Sequence, residues 1–490
     1  MTENVASTKK SSKGPLIFTT LFACILGYIV AKEVELPQSV LITAILCGST
    51  ILFVKSLGQP ELVTYALVAY LPFSRELAGD FAGAATALNF TNVLLVFIML
   101  VWFSGRYAKD EPLWLRTPVN APMMIFLLLG MIAVFRGTYF GSEYLFYAII
   151  EYKRWITPFI LYFFILNTVK ERETIQNIVF IMILVSSVVS LMAIRDYMNV
   201  GNASLEKSRI GGIVDQPNML AAFFNYYMFI PFGFFLMNMN KFNYWGLLVP
   251  FLLQFRGIMV TFSRGGYLAF AVGLYAIVYF RSKILFLLLL VITSLVILNP
   301  NLLPAGIRYR MGQTLQSKTS YADDVALSEQ NLEGSSRTRI EIWKAGLLMV
   351  KESPVWGIGY GLFQPMLRHY WTGGERDAHN TYLIIAAEMG IPALLVFLWL
   401  IWIIFWTTWR FYRKTKDPYS KALALGYLGG IFGLLMSNMF GSRLDSQEVA
   451  SYFWILAALI MRLKILEEKE SGDYQEPQRI GYRLDGGTAA

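Results

Sequence analysis

The sequence predicts an all-α protein that crosses a membrane many times. Its 490 residues are 56% hydrophobic and 15% charged, and its mean hydropathy is +0.50. Apolar stretches of about 17 to 20 residues recur along the chain, which is the length a helix needs to cross the hydrocarbon core. A soluble multidomain protein with these stretches would expose too much apolar surface. The net charge of +9 does not indicate nucleic acid, because basic residues follow membrane topology.

The apolar pattern divides the chain into five parts. Residues 1–14 form a cytoplasmic tail, 15–298 hold eleven transmembrane helices, and 299–390 form a polar segment. Residues 391–464 supply three more helices, and 465–490 form a disordered cytoplasmic tail. The predicted total is about 14 helices. It falls to 12 if the short stretch from Glu61 does not cross and the stretches around Ser263 form one broken helix.

Lysine and arginine placement orients these helices. The basic residues of the N-terminal tail and of alternate loops fall on one side when the predicted helices are followed along the chain. Positive residues are retained on the cytoplasmic side. Both termini are therefore predicted to be cytoplasmic, and segment 299–390 is predicted to face outward.

The outward side favours arginine over lysine. Arginine binds phosphate and carboxylate oxygens through two parallel hydrogen bonds, whereas lysine acts as a compact point charge. An arginine-rich outer face therefore predicts an anionic ligand, with ordinary pairing to loop carboxylates or lipid phosphates as the alternative. The arginines include Arg75, Arg136, Arg195, Arg209, Arg264, Arg337, Arg339 and Arg443.

A helix is predicted in the polar segment, from about Arg337 to just before Pro354. Arg339 and Trp343 are four residues apart and share one face of it. Glycines at 357, 359 and 361 then permit a tight backbone turn near the membrane surface. The alternative is an amphipathic helix in the membrane interface with solvated arginines.

Both histidines of the chain, His369 and His379, lie in the polar segment. Loops longer than about 15 residues in a compact chain usually have a function of their own. His379 comes just ahead of a predicted helix, and an imidazole suits general-base work near neutral pH. The alternative is a histidine that caps this helix or pairs with Asp377.

Two further stretches carry polar residues at the outer ends of apolar helices. In TFSRGGY, residues 261–267, Arg264 is predicted at or just above membrane depth, where an ionisable side chain indicates function. In GGIVDQPNMLAA, residues 211–222, Asp215, Gln216 and Asn218 offer polar contacts. The alternative for the second stretch is a helix start with Pro217 in its first turn.

Several signals are missing from the sequence. It contains no GxxxxGK[ST] loop, so a nucleotide-driven pump is not expected. No HExxH motif or Cys/His cluster indicates zinc, and no nucleophile elbow indicates a serine hydrolase. We therefore expect neither a metal nor a cofactor.

Taken together, these motifs resemble the O-antigen ligase and polymerase superfamily of bacterial surface-polysaccharide assembly. The resemblance covers about residues 211–390, and one departure is Ala393, where many members have glycine. Each motif is weak alone, but their order is specific. In order they are Gly212 to Ala221 or Ala222, Ser263-Arg264, Arg339 to Trp343, Gly357 to Gly361, His379-Asn380 and Glu388 to Gly390.

The resemblance implies a membrane glycosyltransferase of the bacterial inner membrane. It would transfer a glycan from a polyprenyl-diphosphate-linked donor to a sugar hydroxyl of a glycan or lipid-linked acceptor, on the periplasmic face, without metal or nucleotide and with inversion. His379 would deprotonate or orient the acceptor, and Arg264 and Arg339, helped by Arg337, would neutralise the diphosphate. The remaining residues expected to bind substrate are Arg209, Asn218, Asn380, Trp343 and Arg443.

The sequence leaves several alternatives open. The motifs do not separate a ligase from a polymerase or from transfer to protein hydroxyls. A flippase or transporter for lipid-linked sugars would also need outward cations and many helices, although no internal repeat typical of transporters is present. A non-enzymatic assembly scaffold is the third option. Membrane lipids are expected partners in every case, and nucleic acid in none.

Overall fold

The computed structural model describes residues 61–75, 115–200, 209–302, 333–441 and 446–473, with Met99 and Leu444 as isolated positions. These ranges form fifteen α-helices joined by short connections and contain no strand. In chain order the helices are α1 (Glu61–Tyr70), α2 (Asn120–Gly137), α3 (Ser142–Thr168), α4 (Arg172–Asn199), α5 (Pro217–Tyr227), α6 (Phe229–Met237), α7 (Leu248–Val260), α8 (Arg264–Arg281), α9 (Lys283–Leu298), α10 (Glu333–Glu352), α11 (Phe363–Leu367), α12 (Thr381–Met389), α13 (Ile391–Lys414), α14 (Pro418–Ser437) and α15 (Gln447–Glu470).

Six helical stretches in the described ranges are long and apolar enough to cross a membrane. They are α2, α4, the continuous α5–α6 pair, α13, α14 and α15, while α9 and the stretch from Glu61 to Phe73 are shorter apolar helices. The prediction of an all-α, multi-pass membrane protein is confirmed. The predicted total of about 14 helices is not supported. One reason is that α3 carries Glu151, Lys153 and Arg154 well inside its length, and α7 has only 13 residues. The predicted spans from Pro15, Pro37 and Asn89 lie outside the described residues.

Helix α14 lies at the centre of the bundle, where it packs against α5, α6, α8 and α13. Its glycines 426, 429, 430 and 433 allow close approach. A Cβ atom at Gly430 would collide with the carbonyl oxygen of Tyr226, and one at Gly433 would lie 2.6 Å from that of Asn225. Small residues spaced four apart let helix backbones approach closely in a membrane. These glycines therefore fix the distance between α14 and the α5–α6 pair.

The two ends of the bundle are held differently. At one end, Arg172 at the start of α4 lies 2.8 Å from Glu470 and 3.4 Å from Asp417. This cluster ties together the start of α4, the start of α14 and the end of α15. The opposite end, called the site end below, gathers the starts of α5, α8 and α12 and the end of α14.

Several boundaries differ from those predicted. Helix α10 begins at Glu333, four residues before Arg337, and α15 continues to Glu470, so residues 465–470 are helical rather than disordered. The remainder of the predicted tail, from residue 474 onward, lies outside the described residues. The chain around Ser263 forms two helices, α7 and α8, separated by three residues.

Candidate functional site

Arg339 lies on α10, close to Arg264 at the first residue of α8 and to Asp377. Burial lowers the pKa of the Arg339 guanidinium below its ordinary value. The positive charge of Arg264 lowers this pKa further, and the Asp377 carboxylate opposes both effects by raising it. Arg339 therefore lies in a partly buried setting near a second arginine and a carboxylate.

His379 follows Asp377 in the turn before α12. Its Nδ1 lies 2.9 Å from Oδ2 of Asp377, a close contact that does not meet the geometry of a regular hydrogen bond. The side chains of His379 and Asp377 are 32% and 27% exposed, so a ligand can reach both. His379 lies directly before a helix, as predicted, and it contacts Asp377, which is the pairing given above as the alternative to a role as a base.

Trp343 and Asn380 hold this turn in place. The indole Nε1 of Trp343 donates a hydrogen bond to the carbonyl oxygen of Ala378, over 2.8 Å. Asn380 is the N-cap of α12, and its Oδ1 accepts a 3.1 Å hydrogen bond from the backbone nitrogen of Leu383. Both residues were predicted to bind substrate, and the contacts seen for them position the backbone around His379.

The His379 turn is also anchored to α14. The backbone nitrogen of Thr381 donates to the carbonyl oxygen of Asn438 over 3.0 Å, and its hydroxyl lies 2.6 Å from Oδ1 of the same residue. Asn438 in turn donates to the hydroxyl of Tyr226 on α5, over 2.8 Å. These side chains are buried, so the chain linking the polar segment to the membrane helices is firmly fixed.

Arg264 is positioned by the cap of α8. Ser263 is the N-cap, and its Oγ accepts a 3.2 Å hydrogen bond from the backbone nitrogen of Gly266. Gly265, the residue after Arg264, packs closely on Phe440. A Cβ atom at Gly265 would lie 3.0 Å from the Cβ of Phe440. The helix start, and with it Arg264, is therefore held against the chain that follows α14.

Asn218, in the first turn of α5, connects two of the predicted motifs. Its Oδ1 accepts hydrogen bonds from Ser263 Oγ at 2.8 Å and from Nη2 of Arg209 at 3.1 Å. Arg209 also donates through Nε to the carbonyl oxygen of Thr261, over 3.3 Å. Asn218 and Arg209 thus brace the cap that presents Arg264.

Backbone strain is concentrated in these same segments. The non-glycine residues with positive φ in the described ranges are Asp215 at 55°, Phe262 at 50° and His379 at 50°. Such conformations cost on the order of 1–3 kcal/mol each and cluster at functional sites. Each lies in one of the three segments that meet at the site end, and one of them is the predicted base itself.

The glycine-rich turn and Glu388 have a structural role. The backbone nitrogen of Gly359 donates to the carbonyl oxygen of Glu388 over 3.1 Å, and Oε1 of Glu388 accepts from the backbone nitrogen of Phe363 over 3.0 Å. Gly357 has a φ of 68°, and a Cβ atom there would collide with the carbonyl group of Glu388. The turn therefore joins the polar segment to the junction of α12 and α13.

Several of the arginines predicted to face outward are bound within the protein. Arg136 on α2 donates to the carbonyl oxygen of Gly357 over 2.6 Å and to Ser353 Oγ over 3.1 Å. Arg75 donates to the carbonyl oxygen of Val214 over 2.9 Å, and Arg195 pairs with Asp196 at 2.7 Å. Internal pairing, the alternative given above, therefore accounts for these members of the arginine set. Arg443 lies outside the described residues, as does the side chain of Arg337.

Asp377, Thr381 and Asn438 were not among the predicted site residues. In the sequence DAHN, Asp377 precedes His379 by two residues, so their pairing could be anticipated. The proximity of Asp377 to Arg339 could not. No local pattern predicts that Thr381 meets Asn438, because they are separated by 57 residues.

Comparison with known proteins identifies the segment that carries this site. Residues 249–398 match the family model described as O-antigen ligase. The chain carries an O-antigen ligase domain. Its matched range includes Arg264, Arg339 and His379, whereas Arg209, Asn218 and Arg443 lie outside it. No curated protein matches the chain. The resemblance inferred from the order of the motifs is confirmed, and the O-antigen ligase domain lies in a multi-pass membrane protein.

Proposed function

We propose that this protein transfers a glycan from a polyprenyl-diphosphate-linked donor to a sugar hydroxyl, on the periplasmic face of the bacterial inner membrane. The proposal depends mainly on one observation, the proximity of Arg339 to Arg264 and to Asp377, which contacts His379. Two guanidinium groups close to a histidine suit a reaction with an anionic leaving group and a base. The proposal keeps both termini cytoplasmic, because lysine and arginine residues in the tails and alternate loops favour that side.

Arg264 and Arg339 would bind the diphosphate and stabilise the charge that develops as it leaves. Guanidinium groups hold phosphate oxygens with two hydrogen bonds and remain charged even when partly buried. An anion between them would relieve their mutual repulsion, which is seen as the effect of Arg264 on the pKa of Arg339. Fixed charges aimed at a leaving group can each contribute about 3–4 kcal/mol to the stability of a transition state.

His379 would accept the proton of the acceptor hydroxyl. Because Nδ1 faces Asp377, Nε2 is the nitrogen that remains for the acceptor. The acceptor oxygen forms a bond to the anomeric carbon while the bond from that carbon to the diphosphate oxygen breaks. The electron pair leaves with the diphosphate and the proton moves to His379. A single displacement of this kind inverts the anomeric configuration.

The acceptor class remains open among ligase, polymerase and protein-directed transfer, because these reactions share the same leaving group and base. Flippase activity is the alternative from another class. The two are distinguished by bond cleavage, since only transfer releases free polyprenyl diphosphate.

The test uses the full-length protein in proteoliposomes with a lipid-diphosphate-linked glycan and a panel of acceptors. Wild type should release polyprenyl diphosphate and form a glycosylated acceptor. His379→Ala and Arg264→Ala should each slow release by about 10²-fold or more. Arg410→Ala is a matched control, because Arg410 lies over the Trp406 ring near the opposite end of the bundle.

Two results would contradict the proposal. Full transfer activity in both His379→Ala and Arg264→Ala would rule out the proposed mechanism. Movement of the intact lipid-linked glycan across the bilayer, without release of polyprenyl diphosphate by wild type, would instead establish the flippase.

A further inference from the structure

Three cations converge on Tyr412 at the end of the bundle opposite the site end. Arg281 is the last residue of α8, Arg413 lies in the last turn of α13, and Lys421 lies in the first turn of α14. The Tyr412 hydroxyl donates to the carbonyl oxygen of Phe280 over 3.4 Å, and Arg281 and Arg413 both lie close to this hydroxyl. The transfer reaction proposed above uses none of these residues.

Each of the three cations is oriented by a contact that leaves its charge available. Nε of Arg281 donates to a backbone carbonyl oxygen at the end of α6, over 2.9 Å. Cζ of Arg413 lies 5.5 Å from the centroid of the Trp409 ring. Nζ of Lys421 lies 5.7 Å from the centroid of the Tyr412 ring. A cation held by one carbonyl or beside a ring keeps its remaining N–H donors for an anion.

The three cations have no ion-pair partner in the described ranges. Among the ion pairs formed there, none involves Arg281, Arg413 or Lys421. Asp417 precedes Lys421 by four residues, but its carboxylate lies 3.4 Å from Arg172 instead. Three positive charges are therefore gathered where the ends of α6, α8 and α13 meet the start of α14, and such a surface attracts anions.

A strip of aromatic rings runs from these cations toward the middle of the bundle. The centroid of the Phe280 ring on α8 lies 4.8 Å from that of Trp409 and 6.1 Å from that of Phe405, both on α13. It also lies 5.7 Å from that of Phe432 on α14. All four rings are partly exposed. Cations at the end of an apolar strip fit a ligand with a charged head and an apolar chain better than a free anion.

We propose that Arg281, Arg413 and Lys421 bind the phosphate of an anionic phospholipid in the leaflet at this end of the bundle. The acyl chain of the lipid lies along the aromatic strip between α8 and α13. Guanidinium groups hold phosphate oxygens with two hydrogen bonds, and the lysine adds a point charge. Basic pockets between transmembrane helices bind anionic lipid headgroups in this way. The bound lipid braces the ends of four helices, a role independent of glycan transfer.

Arg410 allows this site to be distinguished from the general excess of cations on one side of a membrane protein. Its Cζ lies 4.8 Å from the centroid of the Trp406 ring, so Arg410 and Arg413 each lie over the tryptophan four residues earlier. Only Arg413 of this pair lies close to the Tyr412 hydroxyl. Topology alone predicts that the two arginines contribute equally to lipid binding, whereas a defined site predicts that only Arg413 matters.

The test measures lipid binding to the full-length protein in detergent by native mass spectrometry. Wild type should bind phosphatidylglycerol about tenfold more tightly than zwitterionic phosphatidylethanolamine. Arg413→Gln should weaken phosphatidylglycerol binding about tenfold, because a charge-assisted contact is lost. Arg410→Gln is the matched control and should bind both lipids as wild type does. Equal phosphatidylglycerol binding by the two variants would overturn the proposal.

Thermal unfolding separates a lipid from a free anion as the ligand. Phosphatidylglycerol should raise the unfolding midpoint of wild type, whereas inorganic phosphate at the same concentration should not. An equal rise with inorganic phosphate would overturn the assignment to a lipid. Lys421→Gln should weaken phosphatidylglycerol binding by a similar factor, and this variant decides the question if Arg413→Gln does not fold.

Discussion

The indole nitrogen of Trp343 donates a hydrogen bond to the carbonyl oxygen of Ala378, over 2.8 Å. Trp343 is one helical turn from Arg339 on α10, and Ala378 is the residue before His379. Ala378 is fully buried, so water does not replace this bond easily. One hydrogen bond therefore couples the helix that carries the proposed phosphate-binding arginine to the turn that carries the proposed base.

Replacing Trp343 with phenylalanine should slow transfer while leaving the protein folded. The ring still packs, but the Ala378 carbonyl loses its donor, which costs about 1–3 kcal/mol and misplaces His379. We expect kcat to fall about tenfold with a smaller change in donor KM, measured by release of polyprenyl diphosphate. Trp356→Phe is the control, since Trp356 is half exposed and lies outside the site. An unchanged kcat in Trp343→Phe would show that this bond does not position the base.

Asp377→Asn should reduce the rate by more than the loss of a surface contact would. The variant keeps the shape of the side chain but removes the negative charge beside His379 and Arg339. The imidazolium formed during transfer loses its counter-charge, and Arg339 loses a nearby carboxylate. We expect kcat to fall on the order of 10²-fold. Asp473→Asn, in the exposed turn after α15, should have wild-type kinetics.

Asn218→Ala should weaken donor binding more than acceptor binding. Its amide oxygen accepts hydrogen bonds from Arg209 and from Ser263, which caps the helix that presents Arg264. Loss of the shared acceptor should raise the donor KM about tenfold, at a cost of about 1–2 kcal/mol. Asn238→Ala serves as a control, because the side chain of Asn238 donates to the Phe234 carbonyl at the opposite end of the bundle. Equal donor KM values in the two variants would contradict this role.

Gly357→Ala should destabilise the protein, whereas Gly374→Ala should be milder. Both glycines have positive φ, 68° and 85°, so both variants introduce backbone strain of about 1–3 kcal/mol. Only at Gly357 does the added Cβ also collide with the Glu388 carbonyl, while at Gly374 nothing lies within 4 Å. Thermal unfolding in detergent should show a clearly lower midpoint for Gly357→Ala. Matching midpoints would mean that the turn is not packed against α12 as described.

Local sequence patterns predicted the elements of the site well. A helix start with Pro217 in its first turn was the alternative considered for residues 211–222, and His379 was expected directly before a helix. Each of these depends on a few neighbouring residues, because caps and first turns are local features. The general fold class followed equally directly from hydropathy.

Long-range contacts could not be predicted in the same way. Arg136 was among the arginines of the predicted ligand-binding face. Its guanidinium group instead donates to the carbonyl oxygen of Gly357, 221 residues away. Trp343 and Asn380 were expected to contact substrate, yet their described contacts hold backbone. A residue type limits what a side chain can bind, but tertiary packing decides which partner it meets. The helix count failed for a similar reason, since apolar length alone does not show which segments cross the membrane.

The pairing of Arg264 on a membrane helix with Arg339 on the polar segment has a consequence for turnover. In the proposed reaction the released polyprenyl diphosphate keeps both phosphates. It also gains an ionisable oxygen where the glycan was attached. The same two guanidinium groups then hold the product at least as firmly as the donor. Release of polyprenyl diphosphate, rather than bond cleavage, would be the rate-limiting step. Added polyprenyl diphosphate would act as a competitive inhibitor against the donor.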